Sequence, residues 1–202
     1  DFTEPLAETI KGFHNIRHRF GQWDAALARD AAGRKMHLAG EIGWIESRRA
    51  EMLSFWSKVE DGTIPTRVTH NDTKLNNILF DKQGEVLCAI DLDTVMASTS
   101  LNDFGDAIRS YANTGDEDDR DLSRVGISLE MFSAYTDGYL SQRAAQLTDT
   151  EIDHLAFSAR YITFEQVLRF LMDYIDGDTY YKIKYPEHNL VRTKAQFKLL
   201  QS

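Results

Sequence analysis

The apolar positions of this chain recur mainly with helical spacing. Between residues 40 and 60 they fall three and four apart, as on the buried face of an amphipathic helix, and Asp61 and Gly62 end the pattern. A longer pattern of the same kind predicts a core helix over 149–176. Further helices are predicted over 128–143 and 190–200, with short ones at 6–10, where Pro5 would occupy the first turn, and at 23–27, ended by Gly33.

The stretch from residue 67 to residue 93 has a different pattern, in which short apolar runs alternate with polar turns. Residues 78–80 and 86–90 read as two strands joined by a turn at 81–85, with Gly84 at the bend. We expect the second strand to be buried and to present the carboxylate of Asp91 at the sheet edge. These patterns predict a mainly α chain with a small β insert (α+β).

Two segments beside this insert have less regular patterns. Residues 94–102 read as a loop rich in Ser and Thr, after which Asn102 or Asp103 is expected to cap a helix. The acidic run at 115–121 reads as a solvated turn, because it lacks the ligand spacing of an EF-hand calcium loop.

Composition narrows the classes of partner. The 202 residues are 42% hydrophobic and carry a net charge of −9, which suits a packed core and argues against a nucleic-acid partner. The single cysteine, Cys88, excludes an intrachain disulfide and favours a cytoplasmic protein. Because no apolar run approaches the length of a bilayer span, no membrane partner is expected.

A basic, aromatic segment near the start of the chain, FHNIRHRFGQW, leaves two interpretations open. It is either a packed loop whose basic groups face solvent, or a segment in which His14 or Arg17 lines a substrate cleft.

The polar residues of the β insert suggest phosphoryl transfer. His70, Asp72 and Asn77 lie on one loop, and Asp91 follows Asp72 by 19 residues. Phosphoryl transfer needs a carboxylate that orients and deprotonates the attacking hydroxyl, and it needs hard oxygen ligands for Mg²⁺. A loop held between two strands can supply both.

The segments HNDTKLNN and AIDLD resemble the catalytic and metal-binding segments of the aminoglycoside phosphotransferase and choline kinase superfamily. Together with DFGDAIR and RFLMDYIDGDTYYK, they look most like the N-acetylhexosamine 1-kinases. The resemblance implies a protein-kinase-like fold that uses ATP and Mg²⁺ to phosphorylate the anomeric hydroxyl of a sugar.

Carried over position by position, the resemblance assigns roles to these residues. Asp72 would be the catalytic base, and Lys74 would neutralise the transferred phosphoryl group. Asn77 and Asp91 would bind Mg²⁺, with Asp93 assisting. His70 would be structural and would hydrogen-bond to backbone or to Asp91.

Asp103, Phe104 and Gly105 spell the D-F-G of protein kinases but lie 31 residues or more after Asp72, at the start of a predicted helix. We expect this segment to support the site from outside it. Asp106 and Arg109 within it are predicted to form a structural ion pair.

The acceptor site is less clearly marked. Arg169 and Asp173 lie four residues apart and form either an ordinary ion pair on one helix face or part of a sugar site. In the second interpretation Arg169 and Tyr180 contact the sugar, and Tyr111 stacks nearby.

The resemblance begins in what would be the second lobe of the superfamily fold, since no Gly-rich loop or V-A-I-K-like strand precedes the catalytic segment. We therefore expect residues 1–202 to form one C-terminal lobe, with its catalytic loop at 68–80 and its metal-binding segment at 86–95. The N-terminal nucleotide lobe is a missing partner, and the chain alone is expected to be inactive. A kinase for choline, an aminoglycoside or another amino alcohol, and a non-catalytic scaffold, remain alternatives.

Overall fold

The computed structural model describes residues 6–202, and within them helices predominate over a small β part. Pro5, predicted to start a short helix, lies outside the described residues. The α-helices are α1 (Ile16–Arg29), α2 (Ala39–Glu60), α3 (Ser100–Tyr111), α4 (Leu129–Arg143), α5 (Asp149–Ile175) and α6 (His188–Gln201), and the strands are β1 (Arg67–Thr69), β2 (Ile78–Phe80), β3 (Val86–Ala89) and β4 (Met96–Ser98).

Helix α5 is the centre of the fold. A capping box of Thr148 and Glu151 begins it, and its backbone packs against α1, α3 and α6. Every residue from 161 to 171 is buried, so no face of this segment meets solvent. The core around it contains Trp23 of α1, Phe104 of α3, and Tyr161, Phe164 and Leu168 of α5 itself.

The predicted hairpin is present, but it is not buried. Strands β2 and β3 pair antiparallel, and Gly84 turns the chain with a φ of 87°. Val86 and Leu87 are 64% and 63% exposed, and Cys88 is also exposed, which contradicts the expected burial of this strand. An apolar run is buried only where another layer packs on it, and the described residues place none over this two-stranded sheet.

Several boundaries differ from the sequence predictions. The Ser- and Thr-rich segment contains β4, which pairs with β1 and so gains hydrogen bonds that no local pattern reveals. Thr99 caps α3 in place of Asn102 or Asp103, because its hydroxyl accepts from the Leu101 N–H. Residues 6–14 are turns and coil, so the predicted helix at 6–10 is wrong.

Helix α1 ends at Arg29, with Asp30 in the left-handed region (φ 41°), before the predicted stop at Gly33. The acidic turn is more than a solvated loop, since Asp118 accepts from His188 at 2.8 Å and Glu117 from Arg109 at 2.7 Å. No helix within residues 6–202 is both long and apolar enough to cross a bilayer.

Candidate active site

The loop between β1 and β2, residues 70–77, carries most of the polar residues singled out in the sequence, and we refer to it as the HND loop. Asn71 adopts a left-handed conformation with φ of 64°, which turns the chain sharply before Asp72. The carboxylate of Asp103, on α3, accepts from the backbone N–H groups of His70 at 3.0 Å and Asn71 at 2.7 Å. Asp103 therefore fixes the backbone at the start of the HND loop to α3.

The environment of Asp103 has opposing effects on its ionisation. Burial raises the pKa of this carboxyl, and the two backbone donors offset that only in part. Sequence reasoning placed the D-F-G segment outside the site as a support but gave Asp103 no contact. The identity of this residue could not predict that it accepts hydrogen bonds from the HND loop, because those bonds depend on how α3 packs beside the loop.

Only one carboxylate oxygen of Asp72 accepts hydrogen bonds from the described residues. Its Oδ2 accepts from Lys74 Nζ at 2.5 Å and from Asn77 Nδ2 at 2.9 Å. The Asn77 amide also donates to the Asp72 carbonyl at 2.9 Å. Asp72 Oδ1 accepts no hydrogen bond from the described residues, so it can receive a proton from a ligand hydroxyl.

His70 connects the HND loop to the end of β3. Its Nε2 donates to the Ile90 carbonyl at 2.9 Å, while its Nδ1 accepts from the Asp72 N–H at 3.3 Å. The Ile90 N–H in turn donates to the Asn77 carbonyl at 2.9 Å. These contacts place Asp91, which has φ of 63°, immediately beside the loop. His70 bonds to backbone and not to the Asp91 side chain.

A cleft of about 440 Å³ brings together most of the predicted residues, and we call it the central cleft. Asp72, Lys74, Asp91 and Asp93 line it, together with Arg169 and Tyr180 from α5 and the turn that follows it. Phe170, Tyr181 and Arg192 also line it, whereas the predicted ligand Asn77 does not.

Arg169 is a buried cation surrounded by aromatic rings. Its guanidinium lies 5.2 Å from the ring centre of Phe13, 5.8 Å from that of Tyr180 and 5.6 Å from that of Tyr181. Burial raises the pKa of Tyr181 to about 12, so this hydroxyl stays protonated. Because Arg169, Tyr180 and Asp72 all line the central cleft, one ligand could contact all three side chains.

The alternative ion pair between Arg169 and Asp173 is wrong. Arg169 approaches Glu165, one turn earlier, at 4.0 Å. Asp173 instead accepts from the backbone N–H groups of residues 179–181, at 2.8 to 3.0 Å. The backbone N–H groups use this carboxylate as their acceptor, which fixes the turn that presents Tyr180 to the cleft.

Tyr111 does not line the central cleft. Its ring packs against Tyr135 of α4, with ring centres 5.4 Å apart, and burial raises its pKa. The position of α4, which was not predictable from the spacing of Tyr111, directs this side chain into a helix interface. We therefore withdraw the prediction that Tyr111 stacks on a sugar.

Asp106 and Arg109 form the predicted ion pair, at 2.7 Å, and both are buried. Arg109 also donates to Glu117 at 2.7 Å, and all three side chains line the central cleft. The pair thus lies in the cleft wall, closer to the site than a purely structural role requires.

The basic segment at residues 13–23 is not a loop, because α1 begins at Ile16 and contains most of it. Its basic groups divide between the two interpretations. Arg17, in the first turn of α1, pairs with Glu60 at 2.8 Å on the exposed surface, as expected for a solvated group. His14 is buried and lines the central cleft, where it contacts Glu165 at 2.7 Å and the Asn71 carbonyl at 2.8 Å. The sequence contained one indication of these contacts. Glu165 is an acidic residue within the apolar pattern of α5, and such a residue needs a polar partner when the helix is buried.

The oxygen atoms near Asp91 suit a hard cation. Within residues 6–202, no group of three or more His, Cys, Asp or Glu side chains is arranged to hold a metal by itself. Mg²⁺ usually binds through one or two carboxylates, with water and substrate phosphate completing its shell. Asp91 and Asp93 line the central cleft and fit that requirement. Asn77 Oδ1 accepts no hydrogen bond from the described residues, but Asn77 is buried and does not line the cleft.

Comparison with known families identifies the family of this chain. The sequence model of the phosphotransferase enzyme family, APH, matches residues 1–136. The matched region contains the HND loop, the β2–β3 hairpin, Asp91 and the whole of α3.

Proposed function

Because the chain belongs to the phosphotransferase enzyme family, we propose that it transfers the γ-phosphoryl group of ATP to a hydroxyl of a small molecule. The observation that carries this proposal is the geometry of Asp72. Asp72 lines the central cleft, its Oδ1 accepts no hydrogen bond from the described residues, and its Oδ2 is fixed by Lys74 and Asn77.

In this proposal Asp72 orients the acceptor hydroxyl and takes its proton as the new O–P bond forms. Lys74, already within 2.5 Å of Asp72, remains beside the transferred group and offsets its negative charge. Asp103 and His70 keep the backbone around Asp72 fixed, so the base does not have to be ordered when the acceptor arrives.

Asn77, Asp91 and Asp93 would hold Mg²⁺. When bound, the ion neutralises charge on the nucleotide phosphates. Asp91, whose backbone is left-handed, and Asp93 line the same cavity as Asp72.

We propose that ATP lies against the β2–β3 hairpin and that an N-terminal lobe covers it there. The exposed apolar side chains of this hairpin support the proposal, because several large apolar side chains exposed on one short element commonly mark an interaction site. These side chains are Leu79, Phe80, Val86 and Leu87.

The proposed acceptor is an N-acetylhexosamine or a related sugar, phosphorylated at its anomeric hydroxyl. A sugar offers apolar faces and hydroxyls, which match the rings and polar tips of Tyr180 and Tyr181. A choline or aminoglycoside acceptor is disfavoured, because the aromatic faces that would hold an ammonium group already stack on Arg169.

A substrate panel tests this proposal. Phosphate transfer from MgATP would be measured for N-acetylglucosamine, N-acetylgalactosamine, choline and an aminoglycoside, using this chain and the full translation product of its gene. We expect transfer only to the amino sugars, and only where a nucleotide lobe is present. Turnover restricted to the cationic acceptors would contradict the assigned substrate, and no turnover of any acceptor by either protein would contradict the reaction.

Acceptor binding can be followed without turnover. Chemical-shift changes at Tyr180 and Tyr181 on titration with N-acetylglucosamine would locate the sugar. The matched control is Tyr185, an aromatic residue of the same region that stacks under Arg120, at 4.0 Å, outside the central cleft.

A further inference from the structure

The ring of His14 lies between two oxygen acceptors. Its Nδ1 is 2.7 Å from Glu165 Oε2, and its Nε2 is 2.8 Å from the Asn71 carbonyl oxygen. A backbone carbonyl never donates a hydrogen bond, and an ionised carboxylate only accepts. Both ring nitrogens of His14 must therefore carry protons, which makes the side chain an imidazolium.

Glu165 is placed to be ionised. It is fully buried, and Arg19 Nε approaches its second oxygen at 3.3 Å, with Arg169 at 4.0 Å. Burial alone would raise the pKa of this carboxyl, but attraction to His14, Arg19 and Arg169 outweighs burial and lowers it. Glu165 therefore carries the charge that His14 neutralises.

We propose that His14 is a positioning residue whose imidazolium ties the HND loop to α5 and so fixes the orientation of Asp72. The link to phosphoryl transfer rests on the function proposed above, while the protonation of His14 and its hold on the loop do not. His14 does not touch the reacting atoms in this proposal. It acts through the Asn71 peptide, one residue before Asp72.

A hydrogen bond from His14 to Asn71 acts on the residue that sets the direction of the chain into Asp72. Its carbonyl receives His14, its N–H donates to Asp103 at 2.7 Å, and its side chain donates to the Thr94 carbonyl at 3.0 Å. With φ at 64°, this residue is in a conformation that non-glycine residues seldom adopt without support. Loss of the His14 bond frees one side of the peptide that leads into Asp72.

The Glu165 carboxylate connects the HND loop to α5. Glu165 contacts His14, which binds the loop that carries Asp72, and it lies one helical turn before Arg169. His14 and Glu165 thus link the proposed base to the helix that carries Arg169.

The charged groups that face His14 come from three helices. Glu165 and Arg169 lie on α5, Arg19 lies on α1 and Asp103 lies on α3. Burial lowers the pKa of His14, but attraction and hydrogen bonding to Glu165 raise it by more, so the net shift is upward. The stabilisation from the charged His14 contacts is therefore fully present below the ordinary pKa of about 6.5, and it is lost as pH rises through the elevated pKa of His14.

Nuclear magnetic resonance of ¹⁵N-histidine-labelled protein tests the protonation directly. We expect one of the six histidines, assigned by its loss in the His14→Gln variant, to retain two ring N–H groups at about pH 8, where free histidine is neutral. In Glu165→Gln that signal should become neutral. A neutral His14 ring in the parent protein at this pH would overturn the proposal, whether or not the protein has kinase activity.

Amide exchange tests the hold on the loop. In His14→Gln both amide hydrogens are on one nitrogen, which cannot take the places of the two separate ring nitrogens, so we expect exchange at Asn71 and Asp72 to be about tenfold faster. The control is His154→Gln, because His154 bonds, among the described residues, only to Thr150 of its own helix, at 2.8 Å. Unchanged exchange at these amides in both variants would overturn the proposal.

The kinetic consequence distinguishes positioning from general destabilisation. In the active protein we expect His14→Gln to lower kcat about tenfold, to leave KM for ATP unchanged and to remove one alkaline limb of the pH profile. If His14→Gln fails to fold, the His14 signal is assigned as the one that changes in Glu165→Gln, because His14 is the histidine in contact with Glu165, and its state in the parent protein decides the question. Equal loss of kcat at all pH values with the alkaline limb retained would contradict a charged tie.

Discussion

Two regions of the molecule differ in the contacts that fix their conformation. One is the HND loop with the β2–β3 hairpin, and the other is the set of packed α-helices, which we call the helical base. The hairpin exposes Val86 and Leu87 by more than 60%, whereas residues 161–171 of α5 are buried throughout. Of the proposed site residues, Asp91 and Asp93 are exposed and Asp72 is half-buried. Packing alone therefore does not explain why Asp72 and its neighbours have a defined geometry.

Three buried or nearly buried carboxylates of the helical base compensate for this thin packing. Asp103 receives two N–H groups of the HND loop, and Glu165 receives His14, which holds the same loop. Glu151, at the start of α5, receives Arg67 of β1 at 2.7 Å. The difference between the regions shows that directional polar contacts, more than apolar burial, connect the proposed site to the core.

The largest effect is expected from removing the proposed base. Asp72→Asn should lower turnover about 10²- to 10⁴-fold with little change in thermal stability, because Asp72 is partly exposed. The measurement is kcat in the active protein, with Asp137→Asn, an exposed acid on α4, as the matched control. Retention of full turnover in Asp72→Asn would remove the basis of the proposed mechanism.

A pair of leucine variants tests the packing contrast itself. Leu168→Ala should destabilise the fold by about 2–5 kcal/mol, because it opens a cavity beside buried α5 residues. Leu87→Ala, at 63% exposure, should change stability by less than about 0.5 kcal/mol. Urea unfolding of both variants provides the comparison, and similar losses would mean that the hairpin is packed after all.

The Arg67–Glu151 contact predicts an acid-sensitive step in stability. Burial would raise the pKa of Glu151, but Arg67, the Thr148 N–H and Ser100 lower it from 4.5 to about 2. Its stabilisation is therefore present above the unfolded pKa and is lost as pH falls toward the folded one. The full shift would correspond to about 3 kcal/mol, and because the Arg67 side chain is 25% exposed, screening by solvent reduces this to about 2 kcal/mol.

Unfolding free energies at about pH 6 and about pH 3 would test this, since Glu151→Gln should lose less stability between them than the parent. Glu130→Gln, an exposed acid in the first turn of α4, is the control and should behave as the parent does. An equal pH dependence in Glu151→Gln and the parent would show that this contact does not carry the charge coupling.

The smallest change in global stability is expected at Asp103. Since burial raises its pKa, the ionised group opposes folding above that pKa, and Asp103→Asn removes this cost. An amide oxygen cannot replace both carboxylate oxygens, so exchange at His70 and Asn71 should still accelerate, by about tenfold. A large drop in melting temperature without faster local exchange would argue that Asp103 supports the core and not the loop.

Much of the helical part could be predicted from the sequence. The periodicities located α2, α4, α5 and α6 within one or two residues, because their apolar faces repeat at helical spacing. The Asp106–Arg109 pair was predictable for the same reason, since its spacing lies within one helix. The site residues of the HND loop were identifiable because they are consecutive in the chain.

Contacts between distant segments could not be predicted in this way. Strand β4 depends on pairing with β1, and the position of Tyr111 depends on α4. Arg169 faces Glu165 and not Asp173, because the turn at 179–181 uses the Asp173 carboxylate for its backbone N–H groups. Each of these outcomes is a competition between partners that lie far apart in sequence.

The sequence by itself determined the helical class, the phosphotransferase motif and the residues that the motif contains, since these depend on local spacing and residue type. Only the tertiary structure decided which side chains support them. His14 and Asn71 are 57 positions apart, and His14 and Glu165 are 151 apart. Whether a histidine between them is charged depends on the two acceptors that the fold brings to its ring, and no local pattern contains that information.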